Sequence, residues 1–296
     1  MEIPLDQSTI PFNLEYTLNC GQLFRWKKLR GWWYGVVEDK VIKIKQINGK
    51  LLFQTFPEMV EPNFFENYFR LNDNLPKILS KINKDEHIEK AIQRFRGLRI
   101  IRQEPWECLA SYICATNINI PAIKNMIRNL SKQFGRKLIF DGEDFYTFPK
   151  PSDLADAAIK QVKTCKLGFR AERFLKTSRI IHNKEFDLET LKKLDCKEAK
   201  TQLLSLPGVG QKVADCVLLF SLNKLEAFPV DVWMKHVILE FYPNNFEESF
   251  VEKLSRRHTL TSSEYQTISS FGRTYFGEYA GYAQEYLFAL ARTERA

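Results

Sequence analysis

One stretch narrows the fold more than any other. Leu203-Leu204-Ser205-Leu206-Pro207-Gly208-Val209-Gly210-Gln211-Lys212-Val213-Ala214-Asp215-Cys216 reads as helix, tight hairpin, helix, with the whole unit at about residues 198–222. Gly208 and Gly210 permit positive φ and let the backbone approach whatever binds there. The second helix then opens with unpaired N–H groups pointing outward, a ready site for an anion. The chain carries 44 Lys and Arg against 36 Asp and Glu, a formal charge of +8. That excess alone does not separate a nucleic-acid binder from a merely soluble protein. Beside this hairpin, however, the natural anion is a DNA phosphate, and a phosphate contact positions a protein without reading sequence.

Beyond Lys212 comes Phe228-Pro229-Val230-Asp231-Val232-Trp233, which puts Asp231 nineteen residues past the lysine. Asp231 follows a proline turn and precedes an amphipathic helix expected over 232–241. Alone, it reads as an ordinary N-cap, and a lone lysine at a helix start reads as solvated. The pair together invites a chemical reading.

The remaining chain divides into two halves. Up to about Phe56 the pattern is strand-like: Leu14 to Leu18 and Val41 to Lys45 alternate, and Asn48-Gly49 is a hairpin turn signal. Trp26, Trp32, Trp33 and Tyr34 add the aromatic bulk that strands favour. Helical period follows from Asn63 to Phe69 and from Ile78 to Phe95. From Arg99 onward the chain reads as helix after helix, with Pro121 at a helix start, Gly135 at its end, and Asp195 with Glu198 as a capping box. The basic run Arg94, Arg96, Arg99, Arg102 reads as a solvated face. With 44% hydrophobic and 13% aromatic residues, the chain can bury a sizeable core. No apolar run is long enough to span a membrane. The start lacks the pattern of a secretory signal. The expectation is an intracellular protein, not secreted. Cys20, Cys108, Cys114, Cys165, Cys196 and Cys216 are scattered and contain no CxxC pair, so buried free thiols are expected, with no zinc site.

LPGVGQKVADC followed by FPVDVW resembles the helix-hairpin-helix, Gly/Pro-Asp signature of DNA base-excision glycosylases. The lysine at 212 marks their bifunctional branch. CGQLFRW at 20–26, IIRQEPWECLASYICATNINI at 100–120, KLGFR at 166–170 and YAGYAQEYLF at 279–288 extend the likeness. Together, in this order, they resemble 8-oxoguanine DNA glycosylase/lyases over nearly the whole chain. The branches with a C-terminal iron–sulfur cluster need cysteines that this chain lacks after Cys216. The resemblance implies an α+β protein: an N-terminal antiparallel β domain, similar to the TATA-binding protein, over 1–96, then an all-helical catalytic domain over 97–296.

It also implies roles. A glycosylase extrudes its target base from the duplex. Lys212 is then the amine nucleophile that displaces the base and forms a Schiff base with the sugar, and Asp231 supports developing charge and orients the amine. A free lysine, with a pKa of about 10.4, is protonated at neutral pH, so the helix N-terminus and burial must help free its amine. Cys216 and Phe288 sandwich the base, and the Gln284 amide reads its Watson–Crick edge. The Gly21 carbonyl accepts the N7 proton that 8-oxoguanine has and guanine lacks. Asn117 fills the hole left by the base, Phe169 wedges beside the orphaned partner, and Arg170 contacts that partner. Gly208, Gly210 and Trp233 contact phosphate. No cofactor is required, but the main-chain carbonyls of Leu204, Leu206 and Val209 hold a monovalent cation. The implied partner is double-stranded DNA containing 8-oxoguanine, met by a monomer and away from membranes.

The chain departs from the pattern at three places. Ala122 stands where eukaryotic members carry an arginine that recognises the opposite cytosine, so relaxed opposite-base selectivity is expected. Trp233 replaces a histidine that touches phosphate, and Phe169 replaces a tyrosine. Two other readings compete. A monofunctional alkyl-base glycosylase has no need of Lys212. A non-catalytic hairpin protein has no use for Lys212, Asp231 and Gln284 together.

Overall fold

In the computed structural model, which describes residues 1–294, a short strand β1 (Glu2–Pro4) and a helix α1 (Leu14–Asn19) precede four strands. These are β2 (Lys27–Leu29), β3 (Trp32–Val37), β4 (Lys40–Ile47) and β5 (Lys50–Phe56). They make one antiparallel sheet in the order β1-β5-β4-β3-β2. Asn48 and Gly49 both take positive φ, 49° and 72°, as a tight two-residue turn requires, and so set the β4–β5 register.

Leu14 to Leu18 corrects the strand expectation. Asn13 accepts a hydrogen bond from the Tyr16 N–H at 2.9 Å, and Leu14, Thr17 and Leu18 are the buried positions. That is helical spacing behind an N-cap. The helical stretch from Ile78 to Phe95 likewise divides. After α2 (Pro62–Tyr68) come α3 (Leu75–Ile82) and α4 (Glu86–Arg94), because Asp85 caps a fresh helix through the N–H groups of His87 and Ile88.

The helical half holds α5 (Pro105–Cys114) and α6 (Ile120–Phe134), then an unexpected hairpin of β6 (Lys137–Phe140) and β7 (Glu143–Tyr146). Leu138 and Phe145 from this hairpin pack on Tyr34, Val36 and Val41 of the first sheet. Asp141 at its turn accepts from the Tyr34 hydroxyl at 2.8 Å and pairs with Lys43 at 2.5 Å. Then follow α7 (Ile159–Thr164), α8 (Arg170–His182), α9 (Cys196–Leu203), α10 (Gln211–Ser221) and α11 (Val232–Phe241). The last three helices are α12 (Glu248–Ser255), α13 (Ser262–Phe276) and α14 (Ala280–Glu294). Asp195 and Glu198 form the expected capping box at α9.

The cores do not divide at residue 96. Residues of α3 and α4, together with Cys20 and Phe24, join the large helical core, whereas Ile101 joins the core under the sheet. Arg99 accounts for much of this seam. It is fully buried, and its guanidinium donates to the carbonyls of Pro11, Arg70 and Asp73. Arg102 pairs with Asp73 at 3.0 Å. Both arginines therefore correct the reading of the basic run as a solvated face: Arg99 satisfies backbone oxygens that would otherwise be stranded where the two halves meet, and Arg102 is held in an ion pair. Among the described residues no helix is long and apolar enough to cross a membrane.

Candidate active site

The hairpin joins α9 to α10. Gly208 has φ +85°, and a methyl placed on it would come within 3.0 Å of Arg173 Cβ, so both backbone and packing require glycine. Gly210 corrects the expectation of a positive φ: it sits at φ −101° as the N-cap of α10. Its contribution is openness, since a methyl there would meet nothing within 4 Å. No side chain caps α10, and the N–H groups of Gln211, Lys212 and Val213 find no acceptor among the described residues. An uncapped helix start beside a bare glycine presents partial positive charge to an incoming phosphate.

Lys212 lies in the first turn of α10, half-buried, with its Nζ 5.6 Å from the centre of the Tyr112 ring. Asp231 is the N-cap of α11, and its Oδ1 accepts from the N–H groups of Trp233 and Met234 at 3.0 Å each. Oδ2 is left without a protein donor among the described residues. Cys216 lies one turn beyond Lys212 on α10. Burial pushes its thiol well up, Lys212 pulls it back, and Asp215 and Asp231 push it further.

The base-pocket candidates converge from opposite ends of the chain. Gly21 has φ +111°, and a methyl on it would fall 3.2 Å from Phe288 Cε1 and 3.0 Å from Arg292 Nη1. Arg292 also donates to the Cys20 carbonyl at 2.9 Å. Gln22 anchors the segment. Its amide nitrogen donates to the Arg99 carbonyl at 2.8 Å, and its amide oxygen accepts from the Ile101 N–H at 2.8 Å. Gln284 lies on α14 one turn before Phe288, 4% exposed, and its Oε1 has no hydrogen-bond partner. A buried amide oxygen left unpaired is costly, and a donor from outside relieves that cost.

Asn117 stands at the exposed turn between α5 and α6, in the left-handed conformation at φ 52°. Phe169 is 63% exposed, outside the core, with its ring 4.3 Å from the Arg170 guanidinium. Arg170 is itself buried and donates to the carbonyls of Leu167, Thr116 and Asn117. Here it braces the Asn117 turn, where the resemblance implied a contact to a base. Trp233 is half-buried against the helical core with its ring edge-on to His236, and its backbone N–H is held by Asp231.

The carbonyls of Leu204 and Val209 take no hydrogen bond among the described residues, and that of Leu206 takes one, from the Val209 N–H at 3.1 Å. Three main-chain oxygens with free lone pairs fit a monovalent cation. All six cysteines are buried free thiols.

Two features escaped the sequence. The first is a buried network: Asp215 accepts from Lys200 Nζ at 2.8 Å and from the Tyr265 hydroxyl at 2.6 Å, and that hydroxyl accepts from the Val230 N–H at 3.3 Å. It ties the helix of Lys212 to the residue before Asp231. The second is Glu285, a buried carboxyl on α14. Its signal was a charged residue inside the apolar run YAGYAQEYLFALA.

Comparison with known proteins places this geometry. Residues 3–109 match the 8-oxoguanine DNA glycosylase N-terminal domain, and residues 110–257 match the HhH-GPD superfamily base excision DNA repair protein family. A probable N-glycosylase/DNA lyase of Methanothermobacter thermautotrophicus is 28% identical over 99% of this chain and 96% of its own. The N-glycosylase/DNA lyase of Saccharomyces cerevisiae is 30% identical over 75% of this chain and 64% of its own. The 8-oxoguanine glycosylase/lyase of Clostridium acetobutylicum, solved with double-stranded DNA containing cytosine opposite 8-oxoguanine, superposes with a TM-score of 0.86 at 34% identity. That match covers 96% of this chain and 93% of the other.

Proposed function

The chain belongs to the HhH-GPD superfamily of base-excision repair proteins, in its 8-oxoguanine DNA glycosylase/lyase branch, and from that membership we propose how it acts. Its substrate is duplex DNA carrying 8-oxoguanine, and formamidopyrimidine-guanine is a second substrate. It meets the duplex as a monomer. Gly208, Gly210 and the open start of α10 receive a backbone phosphate, joined by Trp233. The carbonyls of Leu204, Leu206 and Val209 would hold a monovalent cation, which would stiffen the hairpin. Phe169 wedges beside the orphaned partner and Asn117 occupies the hole, with Arg170 holding their turn.

The extruded base lies between Cys216 and Phe288. Gln284 meets its Watson–Crick edge, and the Gly21 carbonyl accepts the N7 proton. Guanine offers a lone pair at N7, so it faces an acceptor with an acceptor, at a cost of about 1–3 kcal/mol. The neutral Lys212 amine attacks C1′, and the bond to the base breaks with its electron pair leaving on the base, which takes up a proton. The aminal then opens to an imine on C1′. Loss of a proton from C2′ expels the 3′ phosphate, which nicks the strand 3′ to the lesion by β-elimination. Asp231, through its free Oδ2, balances the positive charge on sugar and amine. Ala122 brings no hydrogen-bonding side chain to the opposite base, so selectivity there is relaxed.

The observation that carries this reading is Lys212 in the first turn of an uncapped helix, with Asp231 capping the next helix through Oδ1 and leaving Oδ2 free. Borohydride trapping on a duplex with one 8-oxoguanine tests it, with wild type beside Lys212→Gln. A covalent complex in wild type alone is expected. Base release without trapping would mean an aspartate-only mechanism. Intact duplex binding with neither would overturn the catalytic reading.

A further inference from the structure

Glu285 is 4% exposed, and its Oε2 has no hydrogen-bond partner among the described residues. It precedes Phe288 by one turn of α14 and Arg292 by two, so the three share one face. That face meets the segment at Cys20 and Gly21. Phe288 and Arg292 crowd the Gly21 α-carbon, Arg292 donates to the Cys20 carbonyl, and the Cys20 thiol and the Glu285 carboxyl lie close enough to act on each other electrostatically. From the other elements packed around it, Tyr112 of α5, Cys216 of α10 and Asp231 before α11 act on the same carboxyl electrostatically. A buried carboxyl with an unpaired oxygen in an apolar helix is costly to keep.

We propose that Glu285 is a specificity-determining residue: its carboxylate lends negative potential to the Gly21 peptide, favouring a base that presents an N–H there over one that presents a lone pair. The inference rests on the base pocket set out above and adds a charge to it. Guanine and 8-oxoguanine differ in sign at N7, so one nearby charge moves their affinities in opposite directions.

That charge is conditional. Burial pushes Glu285 up to about 7, with the Cys20 thiol and Arg292 pulling it down and Asp231 pushing it further up. Its ionised fraction therefore grows across the neutral range. Cys20, Tyr112 and Cys216 are all moved by burial away from that range. Discrimination should rise with pH.

The test uses the full chain with Lys212→Gln, which binds without turnover. Its Kd is measured from pH 6 to pH 8 for two duplexes that differ only in 8-oxoguanine against guanine opposite cytosine. The ratio of the two Kd values cancels changes in backbone binding. The 8-oxoguanine preference should rise about fivefold from pH 6 to pH 8, the scale of one charge acting through a partly polar interior. Adding Glu285→Gln should hold the preference at its pH 6 level throughout. An unchanged pH dependence in the double variant overturns the role of Glu285 alone. A flat ratio in Lys212→Gln overturns it whether or not the double variant folds. No preference at any pH overturns the base pocket, and the role of Glu285 with it.

Discussion

Removing one hydroxyl from α13 should slow catalysis more than it weakens binding. The Tyr265 hydroxyl donates to Asp215 at 2.6 Å and accepts from the Val230 N–H at 3.3 Å, all within the core. Asp215 sits three residues after Lys212, and Val230 immediately precedes Asp231. Tyr265→Phe keeps the ring and removes both bonds. Losing a hydrogen bond to a charged acceptor costs about 1.5–3 kcal/mol, and a buried N–H left unpaired costs about 1–3 kcal/mol. The two losses share one oxygen and relax together, so about 2–4 kcal/mol is expected, or a fall in Tm of roughly 5–10 °C. Asp215 is already pushed up by burial, and losing Tyr265 leaves Lys200 as its remaining partner. Because the network ties the segments of nucleophile and carboxylate together, small displacements should lower the single-turnover excision rate by about 10- to 100-fold. Kd for the 8-oxoguanine duplex should change less than threefold, since the exposed Phe169 and the Asn117 turn lie outside this network. Excision under single-turnover conditions, well below the lowered Tm, reads this directly. A destabilised protein that excises at the wild-type rate would refute the idea that α13 aligns the pair.

Other expectations concern charge, the wedge and the missing arginine. Glu285 is raised from 4.5 to about 7, so the stability it lends is full below about 4.5 and is lost as pH rises through about 7. Glu285→Gln should therefore raise Tm at pH 8, by an amount worth about 3 kcal/mol, and leave it nearly unchanged at pH 5; equal shifts at both pH values would count against the burial penalty. Phe169→Ala should move Tm little, because the ring is 63% exposed, yet weaken the 8-oxoguanine duplex complex by about 5- to 100-fold if the ring stacks on a base. An unchanged Kd would remove Phe169 from the interface. Ala122→Arg should increase the penalty for adenine, guanine or thymine opposite the lesion in single-turnover assays; equal selectivity in wild type and variant would defeat the link to position 122.

The elements that were legible in the sequence announce themselves through backbone chemistry. Asn48-Gly49 and the Asp195–Glu198 box read correctly because their residue types suit one local geometry. Leu14 to Leu18 misled because five residues satisfy both periods: positions 14, 16 and 18 alternate, while 14, 17 and 18 share a helical face. The cap at Asn13 decides between them. The β6–β7 hairpin carries the same turn signature, with Asp141 at φ 52° and Gly142 at φ 75°, but its strands are four residues each amid helical sequence. Its apolar side chains gain a partner only because the first sheet offers Tyr34 and Val41.

The site divides in a similar way. Lys212, Asp231 and the glycines of the hairpin are legible because their chemistry is local to two short motifs. The pocket residues are named in the sequence only through the family resemblance, because no local motif joins Gly21 to Phe288 across almost the whole chain. The link between them runs through groups with no motif. Gln22 spends its amide on the Arg99 carbonyl and the Ile101 N–H, and Arg99 spends its charge on three carbonyls of the N-terminal half. A polar side chain placed this way reads in sequence as surface. In the fold it fixes the main chain at Gly21, whose left-handed φ of +111° and lack of a side chain allow α14 to approach. If the Gly21 carbonyl reads the base as proposed, that recognition depends on the buried polar groups that hold the peptide still. The strongest test of that dependence is at Gln22, not at Gly21: removing the amide leaves every pocket-lining atom in the chain and removes only what orients them.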